Sequence, residues 1–226
     1  MSRTFIYVVD RDFGFAPNPF HGTCTLATCK PRIRSAAKVG DWVIGLGGRR
    51  LRATGKCIFA MQVEKKITFQ DYWGLPEFQI KKPARNGSST RLVGDNIYTM
   101  ANGCWLQADS HHSNEDGTVN IKNLNKDTGI NSVLISSNFY YFGRRAIAVP
   151  TDILRTMGYS NARNHRTFGN ERSAELLRWL SSHRSKYLHG EPFDFDIASE
   201  RYTGSGSRIT SKTKMRVRHD SNNSSF

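Results

Sequence analysis

Short apolar runs separated by turn-forming residues dominate the first two thirds of the chain, and each run predicts a β-strand. The runs are rich in β-branched and aromatic residues, which are enriched in strands. They occupy residues 5–9, 42–46, 57–63, 96–98, 133–137 and 146–149. The run at 57–63 is mostly apolar, which is typical of a strand buried on both faces. We therefore expect it near the centre of a sheet.

Helical signals are fewer and become stronger toward the C-terminus. Thr68 is a suitable N-cap for a short helix over 68–73, and residues 23–37 fit either a helix or a loop followed by a short helix. A segment beginning with a threonine cap covers 151–157, and residues 171–183 place apolar side chains at helical spacing. Most of the strands therefore precede the clearest helices.

This order of elements indicates an α+β fold, since a doubly wound fold would alternate strands and helices regularly. We expect a curved or barrel-like, mainly antiparallel sheet with peripheral and C-terminal helices. Residues 1–150 are expected to form the barrel-like domain, and 151–200 a helical extension. Residues 201–226 combine glycine, serine, lysine and arginine with few apolar side chains, which predicts a disordered basic tail.

The chain has 226 residues and a formal net charge of +14. Such an excess raises the local concentration of polyanions at the surface, and nucleic acid is the commonest of these in the cytosol. No apolar run approaches the roughly 20 residues of a membrane span, and Asp10 interrupts the N-terminal run too early for a secretory signal. We therefore expect a cytoplasmic protein without membrane contact, whose partner is a nucleic acid (DNA in the first place) or a nucleotide.

Basic residues concentrate between residues 24 and 56, where Asp41 is the single acid. Residues 30, 32 and 34 are cations at alternating positions, so they would project on one side of an extended segment. A second group of cations, at residues 49, 50 and 52, lies on a predicted hairpin tip. Guanidinium groups suit phosphate because each donates two hydrogen bonds at once. The phosphate-binding prediction covers Lys30, Arg32, Arg34, Arg49, Arg50 and Arg52. The alternative is a hairpin whose charges only keep the protein soluble.

An aromatic loop covers residues 13–20, with the sequence Phe-Gly-Phe-Ala-Pro-Asn-Pro-Phe. Phenylalanines in a loop stiffened by proline can offer a stacking face to a nucleobase, and the asparagine could bind a base edge. The predicted base-binding set is Phe15, Asn18, Phe20, Asp41, Trp42, Tyr98 and Tyr141, with Phe13 and Tyr140 as further stacking candidates. The alternative is a loop that folds down onto the sheet as ordinary core.

Candidate catalytic groups are scattered, and no known motif connects them. Cys24 or Cys29 beside Lys30 could have a lowered thiol pKa, although cysteines in a reducing compartment are also typical buried or half-buried thiols. An aspartate with two downstream histidines could form a metal or acid–base site. The candidates are Asp10, Cys24, Cys29, Lys30, Asp95, His111 and His112. Adjacent histidines rarely point the same way, so we expect no metal site, and the sequence names no cofactor.

Several segments resemble the nucleotide modification associated domain 2 family. They are residues 15–20, 24–34, 40–45, 94–98, 133–136 and 141–143. The resemblance runs from about residue 3 to about residue 150. The family is associated with bacterial and phage systems that modify or police DNA bases. The resemblance therefore implies a role near DNA base modification, and it implies no particular catalytic residues.

A second, fold-level resemblance lies in residues 35–44, which are similar to the PUA-like domains that include the EVE and YTH modules. This resemblance implies an aromatic pocket on a small barrel that binds a modified base. Because no complete catalytic geometry can be read from the sequence, a module that recognises a base of a nucleic acid or nucleotide is favoured. The alternatives are an enzyme of nucleotide or DNA base modification, and a scaffold in a larger assembly.

Overall fold

The computed structural model describes residues 2–161, 164–183 and 188–198, and within them it contains eleven strands and six α-helices. In chain order the strands are β1 (Arg3–Val9), β2 (Cys24–Leu26), β3 (Trp42–Gly47), β4 (Lys56–Gln62), β5 (Lys65–Ile67), β6 (Tyr98–Ala101), β7 (Cys104–Gln107), β8 (Val133–Ser136), β9 (Phe139–Tyr141), β10 (Ile147–Ala148) and β11 (Arg166–Gly169). The helices are α1 (Pro31–Ala36), α2 (Phe69–Gly74), α3 (Ser89–Leu92), α4 (Ile121–Thr128), α5 (Thr151–Thr156) and α6 (Asn170–Ser181).

Six strands form the main sheet, in the order β10-β4-β3-β1-β11, with β9 pairing along the same edge of β4 as β10. β1 and β3 are parallel, and every other pair in this sheet is antiparallel. β4 is buried over most of its length, as its apolar sequence predicts. The expected strand near residue 60 therefore lies inside the sheet, between β3 on one side and β9 and β10 on the other.

The remaining strands form two smaller antiparallel groups. β2, β8 and β5 make a three-stranded sheet, and β6 and β7 make a hairpin. The α+β class and the mainly antiparallel pairing are thereby confirmed. Across the described residues the three sheets do not close into one barrel, so the barrel and the PUA-like likeness stay predictions.

The two faces of the main sheet pack against different layers, because side chains alternate along a strand. Phe5, Tyr7 and Val9 of β1 belong to a core shared with β2 and α1. Ile6, between them, belongs to a core formed with α5 and α6 on the opposite face. The loop and helix segments that surround the candidate site lie on the first of these faces.

Several local predictions are confirmed. α2 begins after Thr68, whose hydroxyl accepts from the Asp71 amide while Asp71 accepts from the Thr68 amide, a capping box. The region 23–37 is a short strand, a loop and then α1, which corresponds to the second of the two alternatives.

Other local predictions need correction. α5 has Pro150 at its N-cap position and no side-chain cap, so the expected threonine cap is wrong. The polar tract 109–129 contains α4, which has Asn120 as its N-cap. Polar residues cover most of this helix, and the tract therefore lacks the apolar periodicity that marks a helix in a sequence.

The predicted C-terminal extension contributes a strand as well as helices. β11 pairs antiparallel with β1, and α6 contacts both of these strands. The division at residue 150 stays a prediction, although the main sheet continues beyond it. The predicted tail 201–226 lies outside the described residues. Among the residues described, no helix has the length and apolar character needed to cross a membrane.

Candidate active site

A cavity of about 1090 Å³ opens on the side of the main sheet that carries Tyr7. The C-terminal end of β1, the start of α1 and the aromatic loop all contribute to its wall. Its ring-bearing lining residues are Tyr7, Phe13, Phe15, His111, His112 and His165, and its cations are Arg11, Lys30, Arg32, Arg49 and Lys126. Asp10 is the one carboxylate residue among the described lining residues. The cavity is therefore both aromatic and basic, and its volume is at the upper end of the roughly 300–1,000 Å³ typical of ligand pockets.

Cys29 occupies the sharp turn that connects β2 to α1. Both Cys29 and Lys30 have left-handed backbone conformations, with φ of 57° and 40°. Non-glycine residues rarely adopt such values, and they are held there by surrounding structure, often at functional sites. The turn brings Cys29 to the cavity wall, where it is only partly buried.

Arg34 stabilises this turn from the protein interior through hydrogen bonds. Its side chain is fully buried, and the guanidinium group donates four hydrogen bonds to backbone carbonyl oxygens. The acceptors are Cys29 at 2.9 Å, Asp127 at 2.6 Å, and Ile130 and Ser132 at 2.7 Å each. One buried guanidinium therefore joins the Cys29 turn to the C-terminal end of α4. This placement gives no support to the predicted phosphate contact at Arg34, since its guanidinium group is buried and lies outside the cavity lining.

Cys29, His112 and Asp127 form a connected series beside the cavity. The Cys29 Sγ atom lies 3.7 Å from His112 Nε2, and His112 Nδ1 lies 2.8 Å from Asp127 Oδ2. The other oxygen of Asp127 accepts a hydrogen bond from the Cys29 amide at 2.8 Å. The Tyr98 hydroxyl also donates to Asp127 Oδ2, at 2.9 Å. A thiol, an imidazole and a carboxylate in this order match the arrangement of an activated cysteine nucleophile.

The adjacent histidines lie in a tight turn and not in a strand. The Ser113 amide donates to the Ser110 carbonyl at 3.1 Å, and this turn lets the two imidazole rings point the same way, 6.3 Å apart and 26° from parallel. The expectation that the two rings diverge is therefore wrong. Phe15 lies against both, with ring centroids 5.2 Å from His111 and 4.7 Å from His112.

Electrostatics favour a charged pair at the first two members of the series. Burial alone would raise the pKa of the Cys29 thiol, but the charge and hydrogen bond of His112 outweigh burial and hold this pKa below its ordinary value. Burial alone would lower the pKa of His112, yet Cys29 and Asp127 together raise it to about 9. The pKa of Asp127 is held below its ordinary value, because His112 and Arg34 more than offset its burial. These shifts in pKa favour a thiolate beside an imidazolium over a neutral thiol beside a neutral imidazole.

The thiolate of Cys29 is expected to form below the ordinary thiol pKa of 9.0. The thiolate–imidazolium pair exists between the lowered pKa of Cys29 and the raised pKa of His112, about 9. The pair is thus lost at low pH by protonation of sulfur and at high pH by deprotonation of the imidazole. The ultraviolet absorbance of the thiolate, measured against pH as the difference between wild type and Cys29→Ala, gives the midpoint. A midpoint at or above 9.0 would contradict the assignment.

Asp95 and Asn18 lie in a buried hydrogen-bond network away from the cavity lining. Asp95 accepts from Tyr72 and from Thr25 at 2.7 Å each, while the Lys81 ammonium donates to the side chain and main chain of Asn18. Burial lowers the pKa of Lys81 to about 8 and raises that of Asp95. Because every one of these groups is fully enclosed, the network positions the aromatic loop, and the predicted roles of Asp95 in catalysis and Asn18 in base recognition are not supported.

Other predicted residues also lie away from the cavity lining. Asp41 pairs with Arg3 at 2.9 Å, and Trp42 packs with Tyr140 in the core on the opposite sheet face. The buried ring of Phe20 stacks on Phe195, and the Tyr141 hydroxyl donates to Asp12. Burial removes Asp41, Phe20 and Tyr141 from contact with a ligand in the cavity, and Trp42 is half-buried on the other face of the sheet.

Cys24 is buried, and burial raises its pKa far above the ordinary thiol value, so it is unsuited as a nucleophile.

Arg50 and Arg52 are exposed on the turn before β4, outside the described cavity lining. Nine predicted residues do line the cavity. They are Asp10, Phe13, Phe15, Cys29, Lys30, Arg32, Arg49, His111 and His112.

The roles of Tyr98 and Asp127 in the series were not predicted from the sequence. Tyr98 is fully buried, and its hydroxyl supports Asp127 where a stacking role had been predicted. Asp127 was missed because it lies in the polar tract. Its signal is the N-cap Asn120, followed by Asn123, Leu124 and Asp127 at spacings of three and four residues, which place these three on one buried helical face.

Residues 193 and 194 hold the backbone of one cavity wall through hydrogen bonds to Asp12. The Asp194 amide donates to the Asp12 carbonyl at 2.8 Å, and the Asp12 amide donates to an Asp194 carboxylate oxygen at 3.0 Å. The Phe193 amide donates to the Asp12 carboxylate at 3.1 Å. Asp12 stands between two lining residues, Arg11 and Phe13, so these bonds fix the backbone of that wall. Burial raises the pKa of Asp12 to about 6, despite the hydrogen bonds that it accepts.

The described residues contain no cluster of three or more histidine, cysteine, aspartate or glutamate side chains suited to a metal ion. Fold and site together define an α+β protein with a cysteine–histidine–aspartate series at a basic, ring-lined cavity. The model of the nucleotide modification associated domain 2 family matches residues 1–199, and the chain belongs to that family. This match extends about 50 residues beyond residue 150, where the resemblance in the sequence ends. No curated protein and no solved structure matches the chain.

Proposed function

We propose that this protein is a nucleotide-modification enzyme in which Cys29 attacks a nucleotide unit of a nucleic acid as a covalent nucleophile. The observation that carries the proposal is the 3.7 Å approach of Cys29 Sγ to His112 Nε2, with His112 in turn held by Asp127. The family name supports a role connected with nucleotide modification. The sequence favoured recognition without catalysis, and the juxtaposition of these three residues reverses that preference.

Each member of the series has a distinct role. Cys29 is the nucleophile, since the thiolate is the reactive form. His112 takes the thiol proton and later returns a proton to the departing group. Asp127 fixes the orientation of the imidazole and stabilises its charged form, as carboxylates do in comparable series. Tyr98 and Arg34 act through Asp127 and are positioning residues.

The cavity lining accounts for binding. Phe13, which is only partly buried, offers a ring face for a base, and stacking of this kind is worth about 1–3 kcal/mol per base. Lys30, Arg32 and Arg49 supply cations for the flanking phosphates. An extruded base could enter the cavity while its backbone stays at the basic rim, which is how enzymes reach atoms that a duplex conceals.

Replacing Arg49 with glutamine is expected to weaken binding of a labelled single-stranded deoxyoligonucleotide and to reduce the slope of log affinity against log salt by about 1. The reason is the loss of one phosphate contact at the cavity rim. Fluorescence anisotropy over a range of salt concentrations measures both quantities. Arg155→Gln, at an exposed position of α5 on the opposite side of the sheet, is the matched control. An equal effect of the two substitutions would contradict a binding role for the cavity.

Catalysis is tested by incubating the full-length protein with genomic DNA and with deoxynucleotides. Digestion and mass spectrometry of the nucleosides are expected to reveal a changed base with wild type and none with Cys29→Ser. Binding of the deoxyoligonucleotide should be equal in the two proteins. A change that persists in Cys29→Ser would exclude Cys29 as the nucleophile.

Base recognition without catalysis is a second candidate, favoured by the partly buried ring of Phe13 at the cavity wall. It predicts that Phe13→Ala weakens binding of the deoxyoligonucleotide, while Cys29→Ser alters neither binding nor any base. These two outcomes together would select recognition over the enzyme.

A further inference from the structure

Tyr7 lines the cavity and carries a polar group that the series of Cys29, His112 and Asp127 does not use. It lies in the middle of β1, opposite Gly45 of β3, and is 3% exposed. Its hydroxyl oxygen is buried and has no hydrogen-bond partner among the described residues. Buried hydroxyl groups are nearly always paired, because leaving one unpaired costs free energy. An orphaned hydroxyl at a cavity wall therefore indicates a group that pairs with a ligand.

Tyr7 shares a cavity wall with the proposed nucleophile. Tyr7 and Cys29 line the same cavity, and the Lys30 ammonium lies 4.0 Å from the centroid of the Tyr7 ring. Burial raises the pKa of Tyr7 well above its ordinary value, and the nearby Cys29, Cys24 and Asp12 raise it further. Since the pKa of Tyr7 is raised and that of Cys29 is lowered, the phenol is still protonated when the thiol ionises. It can donate a hydrogen bond to an atom that becomes negative, and it cannot compete as a base.

We infer that the Tyr7 hydroxyl forms, beside Cys29, the binding site for the oxygen atom of a planar carbonyl electrophile. The inference rests on the proposed function and names the chemical class of its substrate. A donor fixed beside a nucleophile lowers a barrier when charge develops on the atom that it faces. Attack on a carbonyl carbon develops such a charge on oxygen, whereas displacement at a saturated carbon does not. The reacting part of the substrate is accordingly a carbonyl group, either of a base ring or of an ester or amide attached to it.

The step balances without an added oxidant or reductant. The sulfur lone pair of Cys29 forms a bond to the carbonyl carbon, and the π electron pair moves to the oxygen. That oxygen accepts the hydrogen bond from Tyr7. When the carbonyl re-forms, the bond to the leaving group breaks, and the proton on His112 passes to the leaving group. Attack of water on the thioester, with His112 as the base, then restores the free thiol.

Two reagents separate this role of Tyr7 from a general effect on the thiol. p-Nitrophenyl acetate acylates a thiolate through a charged oxygen, whereas iodoacetamide alkylates it by displacement at a saturated carbon. Tyr7→Phe in the full-length protein is expected to slow acylation of Cys29 by at least about tenfold, where a preorganised donor is worth about 10²–10³-fold. Alkylation is expected to be unchanged. Both rates are measured at Cys29 by peptide mass spectrometry, with Cys29→Ala giving the background.

Tyr140→Phe is the matched control, because Tyr140 lies in the core on the opposite face of the sheet. It is expected to leave both rates as in wild type. Melting temperature verifies folding, and Tyr7→Phe should not lower it, since the substitution removes an unpaired buried hydroxyl.

Equal acylation in Tyr7→Phe and wild type would overturn the inference, and so would an equal slowing of acylation and alkylation, since Tyr7 would then act on the thiolate itself. Wild-type Cys29 that reacts with iodoacetamide but not with the ester would overturn the inference and leave the proposed nucleophile intact. Wild-type Cys29 that reacts with neither reagent would overturn the proposed function, and this inference with it.

Discussion

Replacement of His112 with alanine is expected to suppress the reactivity of Cys29 toward iodoacetamide near neutral pH by at least about tenfold. Burial opposes the thiolate, and the charge and hydrogen bond of His112 are the largest effects in its favour. Each unit by which the thiol pKa exceeds the solution pH lowers the thiolate fraction about tenfold. Any activity that depends on Cys29 should be lost as well, because His112 also supplies the proton of the second step.

The chain provides its own reference for this measurement. Cys104 is exposed in the β6–β7 hairpin, so its alkylation in the same sample reports on reagent and conditions. His111→Ala is the matched control, because His111 lines the same cavity and packs against the same phenylalanine. We expect this variant to retain Cys29 reactivity within about twofold, a far smaller change than one pKa unit would cause. A loss in His111→Ala equal to that in His112→Ala would mean that cavity shape, and not the imidazole contact, activates the sulfur.

Replacement of Arg34 with methionine is expected to lower the free energy of unfolding by about 3–5 kcal/mol. The substitution removes a fully buried guanidinium and leaves the carbonyl oxygens of Cys29, Asp127, Ile130 and Ser132 without its hydrogen bonds. Each unsatisfied buried group costs about 1–3 kcal/mol, and relaxation recovers part of the sum. Urea denaturation monitored by tryptophan fluorescence measures the difference.

Arg32→Met is the matched control, since Arg32 lies two residues earlier and is exposed at the cavity rim. It is expected to change the free energy of unfolding by no more than about 0.5 kcal/mol, as is usual for surface substitutions. It should instead weaken binding of the deoxyoligonucleotide. If the two variants lost similar stability, the structural role assigned to Arg34 would be incorrect. The pair thus separates two arginines to which the sequence assigned one function.

The strands of the main sheet were accessible from the sequence because their side chains follow simple local rules. β1, β3 and β4 are short, apolar and bounded by turn residues, and each lies within two residues of its predicted ends. Their parallel and antiparallel pairing was not accessible, since pairing depends on contacts between distant segments. Nor was β11, whose sequence carries little apolar signal and which is stabilised by its partner β1.

The candidate site was predictable only in part, for a related reason. The cations and aromatic rings that line the cavity could each be predicted as binding residues from the sequence, and several of them do lie together. The connection between Cys29 and Asp127 spans 98 residues, and that between Cys29 and His112 spans 83. Such contacts leave no local pattern. In the sequence, Arg32 and Arg34 belong to the same alternating basic run. They differ only in burial, because the packing of α1 and α4 encloses Arg34 and leaves Arg32 exposed.

The bonds between Asp12 and residues 193–194 have a consequence for how the protein matures. They join positions 181 and 182 residues apart, so a chain growing from its N-terminus would carry Cys29, His112 and Asp127 long before the segment that steadies the adjacent wall emerges. Closing so wide a loop is entropically unfavourable until the intervening segments have folded. Full organisation of the candidate site would accordingly be among the last events of biosynthesis, and a nascent polypeptide would contain all three residues of the series before the adjacent cavity wall was complete.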